Sequence, residues 1–192
     1  KKLGSNYFEF LNENMRILHL TNKPIFPLVD GGCVAMNQLS KLLHEQGFTV
    51  KNLSVETSKH PFDYSTFPET FIQNNHPEAI KFATELRVSK AVFSLIKGSS
   101  YNLERFKNQL FSNKLKQLLI AEHYDIVLCE SLYLLPYIET IRQYSKAKII
   151  VRTHNVEHKI WERLAQQVSF PKSIYLSMLS KRLKKEEISL LN

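Results

Sequence analysis

Short apolar runs alternate with amphipathic segments along most of this chain. The first run, MRILHLT from Met15 to Thr21, follows a polar leader and is typical of a buried strand. Similar runs predict further strands at 48–55, 125–129 and 149–152, and residues 79–87 are compatible with one more. The strands are therefore short, apolar and widely separated along the chain, as strands of a parallel sheet usually are.

Between these runs, apolar residues recur with the spacing of one helix face. A helix is predicted from Gly32, with Ala35, Leu39, Leu42 and Leu43 at positions i, i+4, i+7 and i+8. Gly47 ends it as a left-handed cap residue. Further helices are predicted at 88–97, 103–122, 132–144, 156–168 and 172 to about 191, and residues 57–77 are predicted to be irregular.

Strands that alternate with helices indicate parallel βαβ units. We predict an α/β fold, a Rossmann-like open and mostly parallel sheet with helices on both faces. The 192 residues, 43% apolar and 23% charged, suit one soluble domain. We expect residues 1–14 to be a leader or an added extension and residues 15–192 to form the domain. Because no strand follows the last helix, we expect the chain to belong to a longer protein.

Membrane spans and disulfides are not expected. No apolar run approaches the roughly 18 to 20 residues that a spanning helix needs, and residues 1–14 lack the apolar core of a signal peptide. Cys33 and Cys129 lie far apart and match no metal or redox spacing. We interpret them as free thiols of a cytoplasmic protein.

The net charge of +8 is unevenly distributed. Residues 87–116 contain seven basic residues against Glu104 alone, and a second cluster, KRLKK, begins at Lys181. One interpretation is solvated helix faces. The other is attraction to anionic lipid headgroups or phosphorylated substrates, with the protein held peripherally on the inner face of the membrane. No recognised nucleic-acid motif occurs, and we expect no nucleic-acid partner.

Candidate chemistry follows the predicted strand that ends in RTHN. Ligands of open α/β sheets bind outside the carboxyl ends of the strands, which is where His154 would lie. Asn155 is well placed to cap the next helix, whose start beside His154 can attract an anion, and Glu157 falls in its first turn. His154 has no such structural explanation, and we predict that it is functional. Glu130 ends the neighbouring strand, where it either contacts an acceptor hydroxyl or pairs with Arg152; we favour the pair.

A glycine pair lies between the first strand and its helix. In PLVDGG, Gly31 and Gly32 allow a ligand to approach the backbone, and the helix start favours phosphate; a plain tight turn is the alternative. The dinucleotide fingerprint G-x-G-x-x-G is absent, so Glu56 at the end of the second strand is weak support for a ribose-binding acid. His154 and His158 lack a third ligand, and no metal site is expected.

With these motifs, residues 15–192 resemble the N-terminal domain of bacterial family 4 glycosyltransferases, which have the GT-B architecture. The resemblance is carried by MRILHLTNKP followed by PLVDGG, then SSYNLERF, YDIVLCESLYLLPYI and RTHNVEHKIWERLA. The last of these is the most specific, whereas the glycine loop is shared more widely.

The resemblance implies an enzyme of two Rossmann-like domains that transfers a sugar, a hexosyl group, from a nucleotide-sugar donor with retention of configuration. It implies no cofactor and no essential metal. Gly31 and Gly32 would lie against the donor diphosphate, and His154 would be the catalytic residue beside the transferred sugar. Asn155 and Glu130 are counted with the two glycines as candidate substrate-binding residues.

The family's donor-binding domain is missing from this chain, so the resemblance implies that residues 1–192 alone are inactive. The acceptor would be a glycan, a lipid-linked glycan or a small molecule, as in polysaccharide biosynthesis. Two alternatives remain open: a non-catalytic α/β binding module, and the nucleotide-binding Rossmann domain of an oxidoreductase. The second would need the glycine fingerprint and a Tyr-x-x-x-Lys pair, and neither is present.

Overall fold

Five parallel strands form a single sheet in the part of the chain that the structure, a computed structural model, describes: residues 15–82 and 106–189. The strands are β1 (Arg16–Thr21), β2 (Thr49–Glu56), β3 (Glu78–Lys81), β4 (Ile126–Glu130) and β5 (Lys148–Arg152). Their spatial order is β3-β2-β1-β4-β5. The chain moves outward from β1 in one direction and then in the other, so the crossover between β1 and β4 opens a crevice at their carboxyl ends.

Helices flank this sheet, which confirms the predicted open α/β fold. They are α1 (Gly31–Glu45), α2 (Glu69–Asn75), α3 (Gln109–Ala121), α4 (Ile138–Tyr144), α5 (Glu157–Gln166) and α6 (Lys172–Ser189), with 3-10 turns at Tyr64–Thr66 and Leu132–Tyr137. Beyond the strands, α5 and α6 pack extensively on each other.

The two faces of the sheet have different chemistry because side chains alternate along each strand. On one face, Leu18 and Leu53 join the main apolar core, which α3 and α4 complete with Phe111 and Ile141. The opposite face, under α1, has a smaller apolar cluster, in which Ile17 and Val50 near the amino ends of β1 and β2 and Leu128 in the middle of β4 pack with Leu39 and Leu43. Helix α1 therefore covers a small apolar core and leaves the carboxyl ends of the strands for polar residues.

Buried polar side chains form a layer at those carboxyl ends. His19 and Thr21 of β1, Asn52 and Ser54 of β2 and Glu130 of β4 are all fully buried. Thr21 Oγ1 lies 2.8 Å from Ser54 Oγ, Ser54 Oγ donates to Asn52 Oδ1 over 3.0 Å, and Asn52 Nδ2 donates to the His19 carbonyl over 3.1 Å. Such groups are costly to bury unless they are paired, so the layer fixes the positions of its members.

The helices differ from the predictions in several respects. The helix predicted at 103–122 begins only at Gln109, because the Asn108 side chain accepts hydrogen bonds from the amides of Leu110 and Phe111 and caps it there. The predicted helix 132–144 starts as a 3-10 turn that contains Pro136. Leu42, assigned to the buried face of α1, is 53% exposed, since the buried stripe runs through Cys33, Met36 and Ser40. The predicted helix 88–97 lies outside the described residues.

The segment 57–77 is more ordered than predicted. It contains α2 and a 3-10 turn, and its aromatic residues pack on the loop after β1. Phe26 contacts Phe67 and Phe71 with ring centroids 5.3 and 5.1 Å apart. These rings come from distant parts of the sequence, so the order of this segment is a tertiary effect that local periodicity does not reveal.

Candidate functional site

A cleft of about 640 Å³ opens at the carboxyl ends of β1, β4 and β5. It lies where the crossover of the sheet predicts a ligand site, and it brings together His154, Asn155 and the glycine pair from widely separated parts of the sequence. The lining residues are Asn22, Lys23, Asp30, Gly31, Gly32, Ala35, Ser131, Leu132, Thr153, His154, Asn155 and Glu157.

His154 reaches this cleft from the loop after β5. Its side chain is 21% exposed, and Nε2 lies 2.8 Å from Glu130 Oε2. The distance is that of a strong contact, but the two atoms are not aligned as a hydrogen bond, and neither has an aligned partner among the described residues. The imidazole is therefore held at one end by a buried charge and exposed to the cleft at the other.

Glu130, which ends β4, is fully buried directly below His154. Its Oε1 lies 3.0 Å from His19 Nε2 and accepts from Arg152 Nη1 over 3.2 Å. Burial raises the pKa of Glu130, but the hydrogen bond and charge of His19, with the charges of Arg152 and His154, hold it below its usual value. The ion pair with Arg152 that we favoured is present, whereas contact with an acceptor hydroxyl would need an exposure that this side chain does not have.

His19 is a site residue that sequence reasoning missed. It is fully buried on β1, with Nδ1 3.2 Å from Ser40 Oγ of α1 and Nε2 on Glu130. The available signal was a histidine inside an otherwise apolar strand, MRILHLT, whose burial demands partners for both ring nitrogens. Through these contacts, His19 links Ser40 of α1 to Glu130, the residue against which His154 packs.

The glycine loop carries an acid and a base that the sequence analysis did not assign. Asp30 caps α1 by accepting from the Cys33 amide over 3.0 Å, and it forms an ion pair with Lys23. The hydrogen bond from Lys23 holds the pKa of Asp30 well below its usual range. The first residues of a helix have no intrahelical partner for their N–H groups, so Gly31 and Gly32 still offer two amides beside the cleft.

The start of α5 differs from the prediction. Asn155 lines the cleft but does not cap the helix, because the N-cap residue is Val156 and no side chain of its own caps it. Glu187 of α6 takes that place: its Oε1 accepts from the Glu157 amide over 2.7 Å, and its other oxygen pairs with His158. A carboxylate from the chain itself already occupies the helix terminus that we expected to attract an anion.

Glu157 lies in the first turn of α5 and lines the cleft. Its Oε2 accepts a hydrogen bond from the Tyr133 hydroxyl over 3.0 Å. Burial, together with the nearby charge of Glu187, raises its pKa despite that hydrogen bond. The carboxyl group is thus a poorly solvated hydrogen-bonding group of the cleft rather than a simple surface charge.

One residue that lines the cleft, Ser131, has a strained backbone conformation. Ser131, which follows Glu130 and lines the cleft, has φ 128° and ψ 151°, a region that residues other than glycine rarely adopt. Its side chain accepts from the Tyr133 amide over 3.3 Å. Such strain costs about 1 to 3 kcal/mol and is typical of functional sites, where the surrounding structure holds a residue in place.

The charges of the cleft nearly balance. Lys23 is the one lysine or arginine among the described lining residues, and it is paired with Asp30; Glu157 adds a further acid. Asn22, Ser131, Thr153 and Asn155 supply neutral donors and acceptors. This lining suits a neutral, hydroxyl-rich ligand better than a diphosphate, which needs an excess of positive charge.

Two of the lysines expected at a membrane have partners within the fold. Lys114 forms an ion pair with Glu78, and Lys116 Nζ lies 4.6 Å from the centroid of the Tyr144 ring. Lys107 is exposed, and most of the basic segment lies outside the described residues. Membrane contact therefore gains no support from Lys114 or Lys116. Among the described residues, no helix is long and apolar enough to cross a bilayer.

The two cysteines are not joined by a disulfide. Cys33 and Cys129 are both free, as expected, and the structure shows that both are buried. Burial raises the pKa of Cys129 to about 12, so this thiol remains protonated and unreactive at neutral pH. No group of three metal-ligating side chains occurs within residues 15–82 and 106–189.

Comparison with protein-family models, curated proteins and solved structures gives no significant match to this chain. The resemblance to family 4 glycosyltransferases therefore depends on the motif residues quoted above.

Proposed function

We propose that this chain is the N-terminal, acceptor-side domain of a retaining glycosyltransferase. The enzyme would transfer a sugar from a nucleotide-sugar donor to a glycan, a lipid-linked glycan or a small molecule. One observation carries the proposal: His154, the residue that the motif RTHN singles out, lines the same cleft as Gly31 and Gly32, among neutral hydrogen-bonding side chains. This arrangement can hold a sugar by its hydroxyl groups.

Sugar transfer from a nucleotide sugar needs more positive charge than the residues of this cleft supply. Breaking the bond between a sugar and a diphosphate builds positive charge on the sugar and negative charge on the leaving group, which must be stabilised where it forms. The amides of Gly31 and Gly32 could contribute, but Asp30 lies beside them and Lys23 is already paired. A separate donor-binding domain, as in the family that the chain resembles, would have to supply most of the positive charge.

The oxidoreductase alternative is less well supported. A nicotinamide-dependent domain needs an acid at the end of β2 that binds the ribose. Glu56 holds that position, but its carboxylate lies 3.8 Å from Lys81 Nζ on β3, and it is not among the lining residues of the cleft. The binding-module alternative shares the fold, and no feature of the cleft favours it over a transferase.

We expect residues 1–192 alone to fold, to show no glycosyl transfer and to bind nucleotide sugars weakly. The protein extended by a donor-binding domain should transfer sugar from one member of a nucleotide-sugar panel. Calorimetry and a product assay on both proteins measure this difference. Transfer by residues 1–192 alone, or no turnover by the extended protein with any donor and acceptor of the panel, would contradict the proposal.

Gly32→Val should weaken donor use and destabilise α1. A Cβ atom at Gly32 would lie 3.2 Å from Asp30 Oδ1 and 3.5 Å from Lys23 Nζ, so a branched side chain would disturb the helix cap. Losing a cap costs about 1 kcal/mol. Gly31→Ala is the control for stability alone, because a Cβ at Gly31 meets nothing within 4 Å. Denaturant unfolding and the donor KM report the two effects, and a folded Gly32→Val protein with an unchanged KM would show that the loop is only a turn.

A further inference from the structure

Glu130 has three partners rather than one. Burying a carboxylate is costly, and a single cation such as Arg152 offsets that cost only when further hydrogen bonds satisfy the remaining lone pairs. Here the same fully buried carboxylate also contacts His19 through Oε1 and approaches His154 through Oε2. Its second oxygen is thus directed at the one member of the cluster that lines the cleft.

The two ring nitrogens of His154 lie in different surroundings. Nε2 is buried against Glu130, although the His154 side chain as a whole is 21% exposed. The exposed surface therefore belongs to the rest of the side chain, whose other polar atom is Nδ1. In a neutral imidazole, the partner of one nitrogen decides which nitrogen carries the proton.

We propose that Glu130 is a positioning residue for His154. Its carboxylate keeps the proton of the neutral ring on Nε2, so that Nδ1 is left as an acceptor for a hydroxyl group of a sugar in the cleft. The carboxylate itself touches no ligand. The identity of the ligand depends on the proposed function, whereas the state of the ring does not.

The carboxylate is held within reach of the imidazole. His154 Nε2 and Glu130 Oε2 are 2.8 Å apart, within hydrogen-bond distance, although the two groups are not aligned as a hydrogen bond. His19, held between Ser40 and Glu130, contacts the other oxygen of the carboxylate and so helps to keep Oε2 beside His154.

Glu130→Gln separates positioning from simple charge pairing. Arg152 has only donor groups, so the new amide oxygen must stay at the position of Oε1, where Arg152 and His19 approach it. The amide NH₂ then faces His154. Because it can only donate, it requires an acceptor at Nε2, and the proton of the ring moves to Nδ1.

The experiment is ¹⁵N NMR of the histidine rings in the chain at a pH where they are neutral. His154→Ala identifies the His154 signals among the seven histidines. We expect the Nε2–H form in the unmodified chain and the Nδ1–H form in Glu130→Gln. Arg152→Lys is the matched control: it retains the positive charge that keeps Glu130 ionised but loses the guanidinium, and the Nε2–H form should persist.

Each result decides the proposal. A predominant Nδ1–H form in the unmodified chain would overturn it, even if Glu130→Gln fails to fold. Glu130→Gln with an unchanged Nε2–H form would mean that Glu130 only pairs charge. An equal change in Arg152→Lys would mean that the guanidinium of Arg152, and not the Glu130 carboxylate, sets the state of the ring.

A second readout applies once transfer activity is established. Glu130→Gln should lower turnover about tenfold to a hundredfold, the range for groups that orient a functional side chain in metal sites. In the double variant with His154→Ala, the Glu130→Gln substitution should lower turnover little further, since both substitutions remove the same function. A ring in the expected state with no transfer by the extended protein would refute the proposed function but not the positioning. Full additivity of the two substitutions would contradict the positioning alone.

Discussion

Replacing His154 with alanine in the proposed transferase, extended by its donor-binding domain, should reduce kcat/KM by roughly thirtyfold to a thousandfold. Under the proposed function, the substitution removes the side chain that would face the transferred sugar, and one well-placed polar group contributes about 2 to 4 kcal/mol to transition-state stabilisation. Stability should change by no more than about 1 kcal/mol, because Nε2 has no aligned hydrogen bond and Glu130 keeps its contacts with His19 and Arg152.

His123→Ala is the matched control for this substitution. His123 precedes β4 at the opposite end of the sheet, is largely exposed and pairs with Asp125. Steady-state kinetics and thermal unfolding of both variants separate catalysis from folding. Near-normal turnover of a folded His154→Ala enzyme, or an equal loss in His123→Ala, would remove His154 from the mechanism.

Phe111→Ala should cost about 3 to 5 kcal/mol of the free energy of unfolding, as truncation of a buried aromatic side chain usually does. Phe111 of α3 is fully buried in the main core. Its ring lies 4.6 Å from that of Tyr137 and 5.7 Å from that of Phe82, measured between centroids. Small domains have only about 5 to 15 kcal/mol in total, so this change removes a large share of the stability.

The neighbouring Leu110→Ala tests whether the loss of stability comes from burial of the side chain or from any truncation within helix α3. Leu110 is 66% exposed, and its truncation should change stability by no more than about 0.5 kcal/mol. Urea unfolding should give a lower midpoint for Phe111→Ala with an unchanged slope. Similar midpoints for the two variants would mean that α3 does not pack on the sheet as the structure shows.

The sequence was sufficient for the fold because its signals are local. Apolar runs such as residues 16–21 identify strands, the spacing of Leu39 and Leu43 identifies a helix face, and Gly47, with φ 83°, ends that helix as predicted. The alternation of strands and helices then limits the topology to a parallel sheet. Since ligands bind at the carboxyl ends of such strands, the same local signals placed His154, Gly31 and Gly32 in one crevice.

Only the tertiary structure decided how each polar group is used. Asn155 has the right sequence position for a helix cap, yet Glu187, 32 residues later, takes that role. Glu130 ends an apolar strand, where an acid is often exposed, yet it is fully buried between His19 and His154. Periodicity and capping rules report interactions within a few residues, whereas the partner of a buried charge is fixed by which strands become neighbours. His19 of β1 and Glu130 of β4 lie 111 positions apart in the sequence, and only folding brings their side chains within 3.0 Å of each other.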